Sequence, residues 1–135
     1  MRVVLDSNIY VSALTLPGGS ADAVLSAALA GAFVALLSEP MLGEIIGVLG
    51  RKFSRDKEEL ARVALFLSEL TEHVAPRNRV TILEDDPDNR ILECAIEGGA
   101  TLIVTGDRAM LRLRSYQGVE IVALRTFLTR LGSRK

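Results

Sequence analysis

The chain has 135 residues, of which 49% are hydrophobic and only 4% aromatic, so it can bury one core of aliphatic side chains. Its 16 basic and 17 acidic residues give a formal net charge of −1, which gives no support for nucleic-acid binding beyond local basic surface. The single cysteine, Cys94, excludes an internal disulfide and agrees with a reducing compartment. Apolar runs stay far below the length of a membrane span. We therefore expect one cytoplasmic domain over residues 1–135, not bound to membrane.

Short apolar runs alternate with longer segments of helical spacing along the whole chain. The predicted strands cover residues 3–5, 33–37, 73–74, 101–105 and 119–122, with some extended character at 80–83. The predicted helices cover residues 9–16, 21–30, 40–49, 57–70, 87–97, 108–113 and 124–131, the last followed by basic Arg134 and Lys135. This alternation predicts an α/β fold with right-handed crossovers and a mainly parallel sheet of about five strands.

Two acids directly follow predicted strands. Asp6 ends the first strand, and Asp107 comes two residues after the strand at 101–105. A carboxylate at the end of a buried strand is costly unless something pairs with it. In open α/β sheets the carboxyl ends of the strands are also where ligands bind. As plain alternatives, Asp6 can be a turn former and Asp107 the cap of the following helix.

Two further acids lie near helix starts, on faces that otherwise look buried. Glu44 falls within the stripe formed by Met41, Ile45 and Val48, and Asp88 shares a stripe with apolar residues of the helix at 87–97. Glu44 can instead be a surface residue, and Asp88 can simply complement the helix dipole. We interpret Asp85 and Asp86 as a loop residue and a helix cap.

Helix starts and strand carboxyl ends share one rim in a parallel α/β sheet, so Asp6, Glu44, Asp88 and Asp107 can converge there. Packed carboxylates raise one another's pKa, and a hard cation such as Mg²⁺ or Mn²⁺ removes that conflict. We therefore predict these acids as metal ligands and catalytic residues for phosphoryl chemistry. Supporting roles fall to their polar neighbours, for which plain turn-forming roles are equally open: Ser7, Asn8, Asn89 and Thr105.

The segments VVLDSNIYVSAL, SEPMLGEIIGVL, DPDNRILECAIEGGATLIVTGD and VEIV resemble the PIN domain family, to which VapC-type toxin nucleases belong. The third segment is the most specific, because acid, helix, double glycine, strand and TGD occur in one order. By position the family's four acids correspond to Asp6, Glu44, Asp88 and Asp107. The hydroxyl residue after the first acid is commonly threonine in the family and is Ser7 here.

The resemblance implies a three-layer α/β/α sandwich and Mg²⁺- or Mn²⁺-dependent cleavage of single-stranded RNA. It also implies a toxin that forms homodimers and is blocked by a small antitoxin protein. RNA contacts are expected from local basic residues: Arg51, Lys52, Arg55, Arg108, Arg112 and Arg114.

Three other functions remain open at this stage. A haloacid-dehalogenase-like phosphatase also begins with a strand-end aspartate but needs a second one where Asn8 stands. A receiver domain needs a late-strand lysine that we do not find. A non-catalytic PIN-like module that binds RNA or protein is the alternative from another class, although such a scaffold has no need of four mutually repelling acids.

Overall fold

In the computed structural model, which describes residues 1–132, strands and helices alternate as predicted. The strands are β1 (Arg2–Leu5), β2 (Val34–Ser38), β3 (Glu72–Val74), β4 (Leu102–Val104), β5 (Ser115–Tyr116) and β6 (Val119–Val122). The helices are α1 (Ser7–Thr15), α2 (Ser20–Leu29), α3 (Glu39–Lys52), α4 (Lys57–Leu70), α5 (Asp86–Glu97), α6 (Arg108–Leu113) and α7 (Leu124–Gly132). Arg134 and Lys135 lie outside the described residues.

The strands form one sheet in the order β3-β2-β1-β4-β6-β5. Central β1 pairs in parallel with β2 and β4, so Val4 lies between Leu36 and Ile103. The sheet described here has six strands rather than about five, because the two-residue strand β5 pairs antiparallel with β6. Gln117 and Gly118 join them with φ values of 48° and 84°, as a tight hairpin turn requires.

The connections between parallel strands place later strands on both sides of β1. The chain first adds β2 and then β3 on one side of β1, and later adds β4 and β6 on the other. Because parallel crossovers are right-handed, the two groups of connecting helices cover opposite faces of the sheet, which gives the expected α/β/α layers. The order reverses between β1 and β4, and ligand crevices of open α/β sheets form at the strand carboxyl ends at such a point.

The core is aliphatic and centres on this sheet. Val4, Leu36 and Ile103 are fully buried on adjacent strands. Helix α3 buries Met41, Ile45 and Leu49 at helical spacing, and α5 buries most of its length, including Cys94. Among residues 1–132, no helix is long and apolar enough to cross a membrane.

The segment before α5 is a connecting loop, as predicted. Residues 80–83 do not form a strand, because side chains of α5 take up their backbone groups. The Val80 N–H donates to Glu93 (2.7 Å), and Arg90 donates to the Val80 carbonyl (3.0 Å). Asn89 both accepts from the Leu83 N–H and donates to the Leu83 carbonyl, each at 2.9 Å. The loop is therefore fixed to the helix that follows it.

Candidate metal centre

Asp6 and Asp107 lie on either side of the point where the strand order reverses. Asp6 follows β1 and caps α1, with one carboxylate oxygen accepting from the Asn8 N–H (3.0 Å). Asp107 caps α6 by accepting from the Met110 N–H (2.9 Å). Asp107 therefore has the capping role considered above, and Asp6 caps a helix as well. In each residue the capping hydrogen bond uses only one of the two carboxylate oxygens.

Thr105 connects these two acids. It is fully buried, and its hydroxyl donates to the second oxygen of Asp6 (2.6 Å) while accepting from the Asp107 N–H (3.0 Å). Burial raises the pKa of Asp6, although the hydrogen bonds from Thr105 and Asn8 oppose the rise. The hydroxyl thus sets the relative positions of the two carboxylates.

Asp88 is the most strongly perturbed acid of the group. It lies in the first turn of α5, is only 6% exposed, and its Oδ2 atom has no hydrogen-bond partner. Its pKa rises from 3.8 to about 7. Burial is the largest cause, and the rest of this rise comes from the charges of Asp107, Asp6, Asp85 and Glu44. A position in the first helical turn alone does not explain this, since the dipole there favours the charged form.

Glu44 reaches the same group from α3. It is half-buried rather than a surface residue, and it follows Met41 on the inward stripe of the helix. Burial raises its pKa, the charges of Asp6 and Asp85 raise it further, and Arg51 opposes them. The four predicted acids therefore form a cluster whose charges act on one another, although Asp6 and Glu44 lie outside the group of described carboxylates whose oxygens all come within 4.8 Å of one another.

The cluster also includes an acid that our sequence interpretation set aside. Asp85, taken there as a loop residue, offers a carboxylate oxygen within 4.8 Å of those of Asp88 and Asp107. It precedes α5 and has no side-chain capping bond of its own. The spacing of three residues from Asp88 was the available signal, because such residues lie on the same side of a helical turn. Asp86, by contrast, contacts Arg90 (3.1 Å) and Asn89 (3.3 Å).

The donor set fits a hard divalent cation. All the side chains are carboxylates, the ligands that Mg²⁺ and Mn²⁺ prefer. The buried, unpartnered Oδ2 atom of Asp88 is the observation that decides the fit, because such an atom costs free energy until a donor or a cation meets it.

The four predicted supporting residues divide into different roles. Thr105 positions two acids, as described, and Asn89 uses its amide on Leu83 and Asp86, so it orders the loop and is not free for a phosphate. Ser7 is buried beside Asp6 with an unpartnered hydroxyl, whereas Asn8 is exposed.

The predicted basic residues do not form one surface. Arg108 and Arg112 line an open groove of about 490 Å³ on α6, together with Leu111 and Arg114. Arg108 directly follows Asp107 in the chain, although none of the acids lines the groove itself.

The other three basic residues lie around the end of α3. Arg51 is close enough to Glu44 to influence its pKa, and Lys52 is exposed in the last turn. Arg55 is already engaged, because it pairs with Glu59 (3.1 Å) and donates to the Leu14 carbonyl (3.3 Å). We therefore interpret Arg55 as a structural link between the α3–α4 connection and α1.

Comparison with known proteins identifies the family of this chain. The PIN domain family model matches residues 2–109, which carry all five acids and Thr105. The chain belongs to the PIN domain family. The uncharacterized protein MJ1680 of Methanocaldococcus jannaschii is 26% identical over 118 residues, a match that covers 84% of this chain and 76% of that protein.

Two solved structures share the PIN fold. The VapBC2 complex of Rickettsia felis, bound to a DNA fragment from its promoter, includes a chain that superposes with a TM-score of 0.64 at 19% identity. That match covers 91% of this chain and 98% of the other. PAE2754 from Pyrobaculum aerophilum superposes with a TM-score of 0.53 at 16% identity, over 98% and 89% of the two chains. At these identities the likeness concerns the fold.

Proposed function

We propose that this PIN domain is a Mg²⁺- or Mn²⁺-dependent endoribonuclease that hydrolyses phosphodiester bonds of single-stranded RNA. We further propose that it is the toxin of a toxin–antitoxin pair. Asp6, Glu44, Asp88 and Asp107 are the proposed metal-holding and catalytic residues. The observation that carries the proposal is Asp88, whose buried and unpartnered carboxylate lies among other acids at the carboxyl edge of the sheet.

The chain's own residues prepare the site before any substrate arrives. Thr105 holds Asp6 and Asp107 in register, and the first turn of α5 holds Asp88 between them and Glu44. These carboxylates would hold a divalent cation, which would supply Lewis-acid chemistry to a phosphate and lower the pKa of a bound water. Preorganised carboxylates need little rearrangement to hold it, which favours catalysis.

The arginine groove on α6 is the proposed path of the RNA backbone toward the acids. Arg108, Arg112 and Arg114 are exposed, and Leu111 adds an apolar surface between them. Guanidinium groups suit phosphate recognition, and their contribution to RNA binding depends strongly on salt.

The proposed protein partners are a second copy of the chain and a small antitoxin. Support comes from the VapBC2 likeness and from exposed apolar side chains on α2 and α4, where Leu29 is 68% exposed, Leu65 61% and Phe66 36%. Apolar side chains grouped on a surface favour association. Light scattering after size exclusion measures the dimer directly.

The deciding experiment is cleavage of a mixed single-stranded RNA panel with Mn²⁺, with Mg²⁺ and with EDTA. We expect wild type to cut with either metal, and Asp88→Asn and Asp6→Asn to lose about a hundredfold or more of the activity. Glu69→Gln, which removes an exposed charge on α4, is the matched control and is expected to cut normally.

Two outcomes contradict the proposal. Cleavage that persists in EDTA would remove the metal from the reaction. A folded wild type that binds the panel without cutting any member would favour the alternative, a PIN module that binds RNA but does not hydrolyse it.

A further inference from the structure

The loop residue Asp85 stands opposite Asp88 and Asp107, outside the set of four acids given above. Each of the three residues offers a carboxylate oxygen, and these oxygens all lie within 4.8 Å of one another. In an octahedral Mg²⁺ site with bonds of about 2.1 Å, ligand oxygens are separated by about 3.0 to 4.2 Å. The three side chains therefore need to contract by less than about 2 Å to share one ion.

An independent observation points to a ligand at this place. Asp88 is only 6% exposed, and its Oδ2 atom meets no hydrogen-bond donor among the described residues. Buried carboxylate oxygens are normally satisfied. Asp85 is exposed and Asp107 is half-buried, so the group has a closed inner side and an open outer side. A cation can enter from solvent and keep some of its waters, as Mg²⁺ commonly does.

The loop that carries Asp85 is held rather than loose. Asn89 holds Leu83 by two hydrogen bonds of 2.9 Å, two residues before Asp85. The Arg90–Glu93 pair holds Val80 further back, at 3.0 and 2.7 Å. Helix α5 carries Asp88 and also the side chains that hold this loop. We therefore expect Asp85 to keep a set position relative to Asp88.

We propose that Asp85 is a metal-ligating residue, and that with Asp88 and Asp107 it forms a divalent-cation position at the outer side of the cluster. The inference rests on the function proposed for this site. It adds a ligand that neither the family motif nor the sequence interpretation includes. It also assigns a role to Asn89, as the residue that positions Asp85.

The test is Mn²⁺ binding, measured by calorimetry and by the loss of the free-ion signal in electron paramagnetic resonance, with no RNA present. We expect Asp85→Asn to weaken Mn²⁺ binding about tenfold or more. Glu84→Gln is the matched control, because it removes the same charge one residue away from an exposed side chain, and less than a twofold change is expected. Asparagine caps helices as well as aspartate does, so the variant is expected to fold.

Three outcomes are distinguishable. Unchanged Mn²⁺ affinity in Asp85→Asn overturns the inference, whether or not the wild type cuts RNA. Equal losses in Asp85→Asn and Glu84→Gln also overturn it, because they would show a general charge effect. A selective loss in Asp85→Asn supports it even if no RNA is cut, in which case the proposed nuclease function fails and the metal site remains.

Discussion

Replacing Asp88 by asparagine is expected to stabilise the metal-free protein at pH 8. The carboxyl pKa rises from 3.8 to about 7 on folding, and at about 1.4 kcal/mol per pKa unit this corresponds to about 4 kcal/mol. Asparagine has nearly the same shape and no charge, so it avoids this cost. Water that reaches the cluster screens part of this electrostatic cost. We therefore expect the substitution to raise the free energy of unfolding by about 2 kcal/mol, or Tm by about 6 °C.

The pH dependence has a definite sign. Between the unfolded and folded pKa values of Asp88, the folded state binds more protons than the unfolded state. The free energy of unfolding of the wild type therefore falls as the pH rises from about 4 to about 7, and the cost is fully present above that window. Burial raises the pKa values of Asp6 and Glu44 too, which adds a loss of the same sign.

Urea unfolding of wild type and Asp88→Asn in EDTA, at pH 5 and pH 8, measures this directly. The stability advantage of the variant is expected to widen by about 1 to 2 kcal/mol between the two pH values. Adding Mn²⁺ at pH 8 is expected to reverse the order, because the cation binds the folded wild type preferentially. A variant that is no more stable than wild type at pH 8 would refute the assignment of Asp88 as a costly buried charge.

Three further tests, one of them a double substitution, have defined outcomes. Thr105→Val is expected to lower the free energy of unfolding by about 2 kcal/mol, because it leaves the Asp107 N–H unpaired, and to weaken Mn²⁺ binding. Thr105→Ser keeps the hydroxyl and is expected to restore both properties in unfolding and titration experiments. The double change Arg108→Ala with Arg112→Ala is expected to weaken RNA binding and reduce the slope of log K against log salt by about 1.4, whereas Arg62→Ala on α4 leaves the slope unchanged. Gly98→Ala is expected to cost about 1 to 3 kcal/mol in urea unfolding, because its added Cβ would lie 2.8 Å from a buried leucine methyl group on β2.

Much of the fold follows from the sequence because local signals agree with each other. Helix α4 has the predicted bounds of residues 57–70, since an aspartate caps it and its apolar spacing is regular. Strand β6 also has its predicted bounds, 119–122. Strand β5 was missed because two residues carry no periodicity. Residues 80–83 carry β-branched residues, but side chains of α5 compete successfully for their backbone groups.

The candidate site also divides into residues that local sequence patterns locate and a residue that only tertiary contacts locate. Asp6 and Asp107 were placed together because strand ends locate them, and Glu44 and Asp88 because each interrupts an apolar stripe. Asp85 could not be placed in this way, since its direction depends on how Asn89 fixes the preceding loop. Contacts made by side chains across a loop have no periodic pattern in sequence.

The fold offers partial compensation for gathering so much negative charge. Asp6 and Asp107 cap α1 and α6, and Asp88 lies in the first turn of α5, so three helix dipoles point their positive ends at the cluster. Each such end contributes only about 0.3 to 1 kcal/mol in an exposed setting. After screening by water, the cost at Asp88 is about 2 kcal/mol, and burial raises the pKa values of Asp6 and Glu44 as well. The raised pKa values show that the helix ends leave part of the burial and repulsion of these carboxylates uncompensated, and a bound divalent cation would offset that part. That imbalance is the physical reason to regard the cluster as a metal centre and not as a set of helix caps.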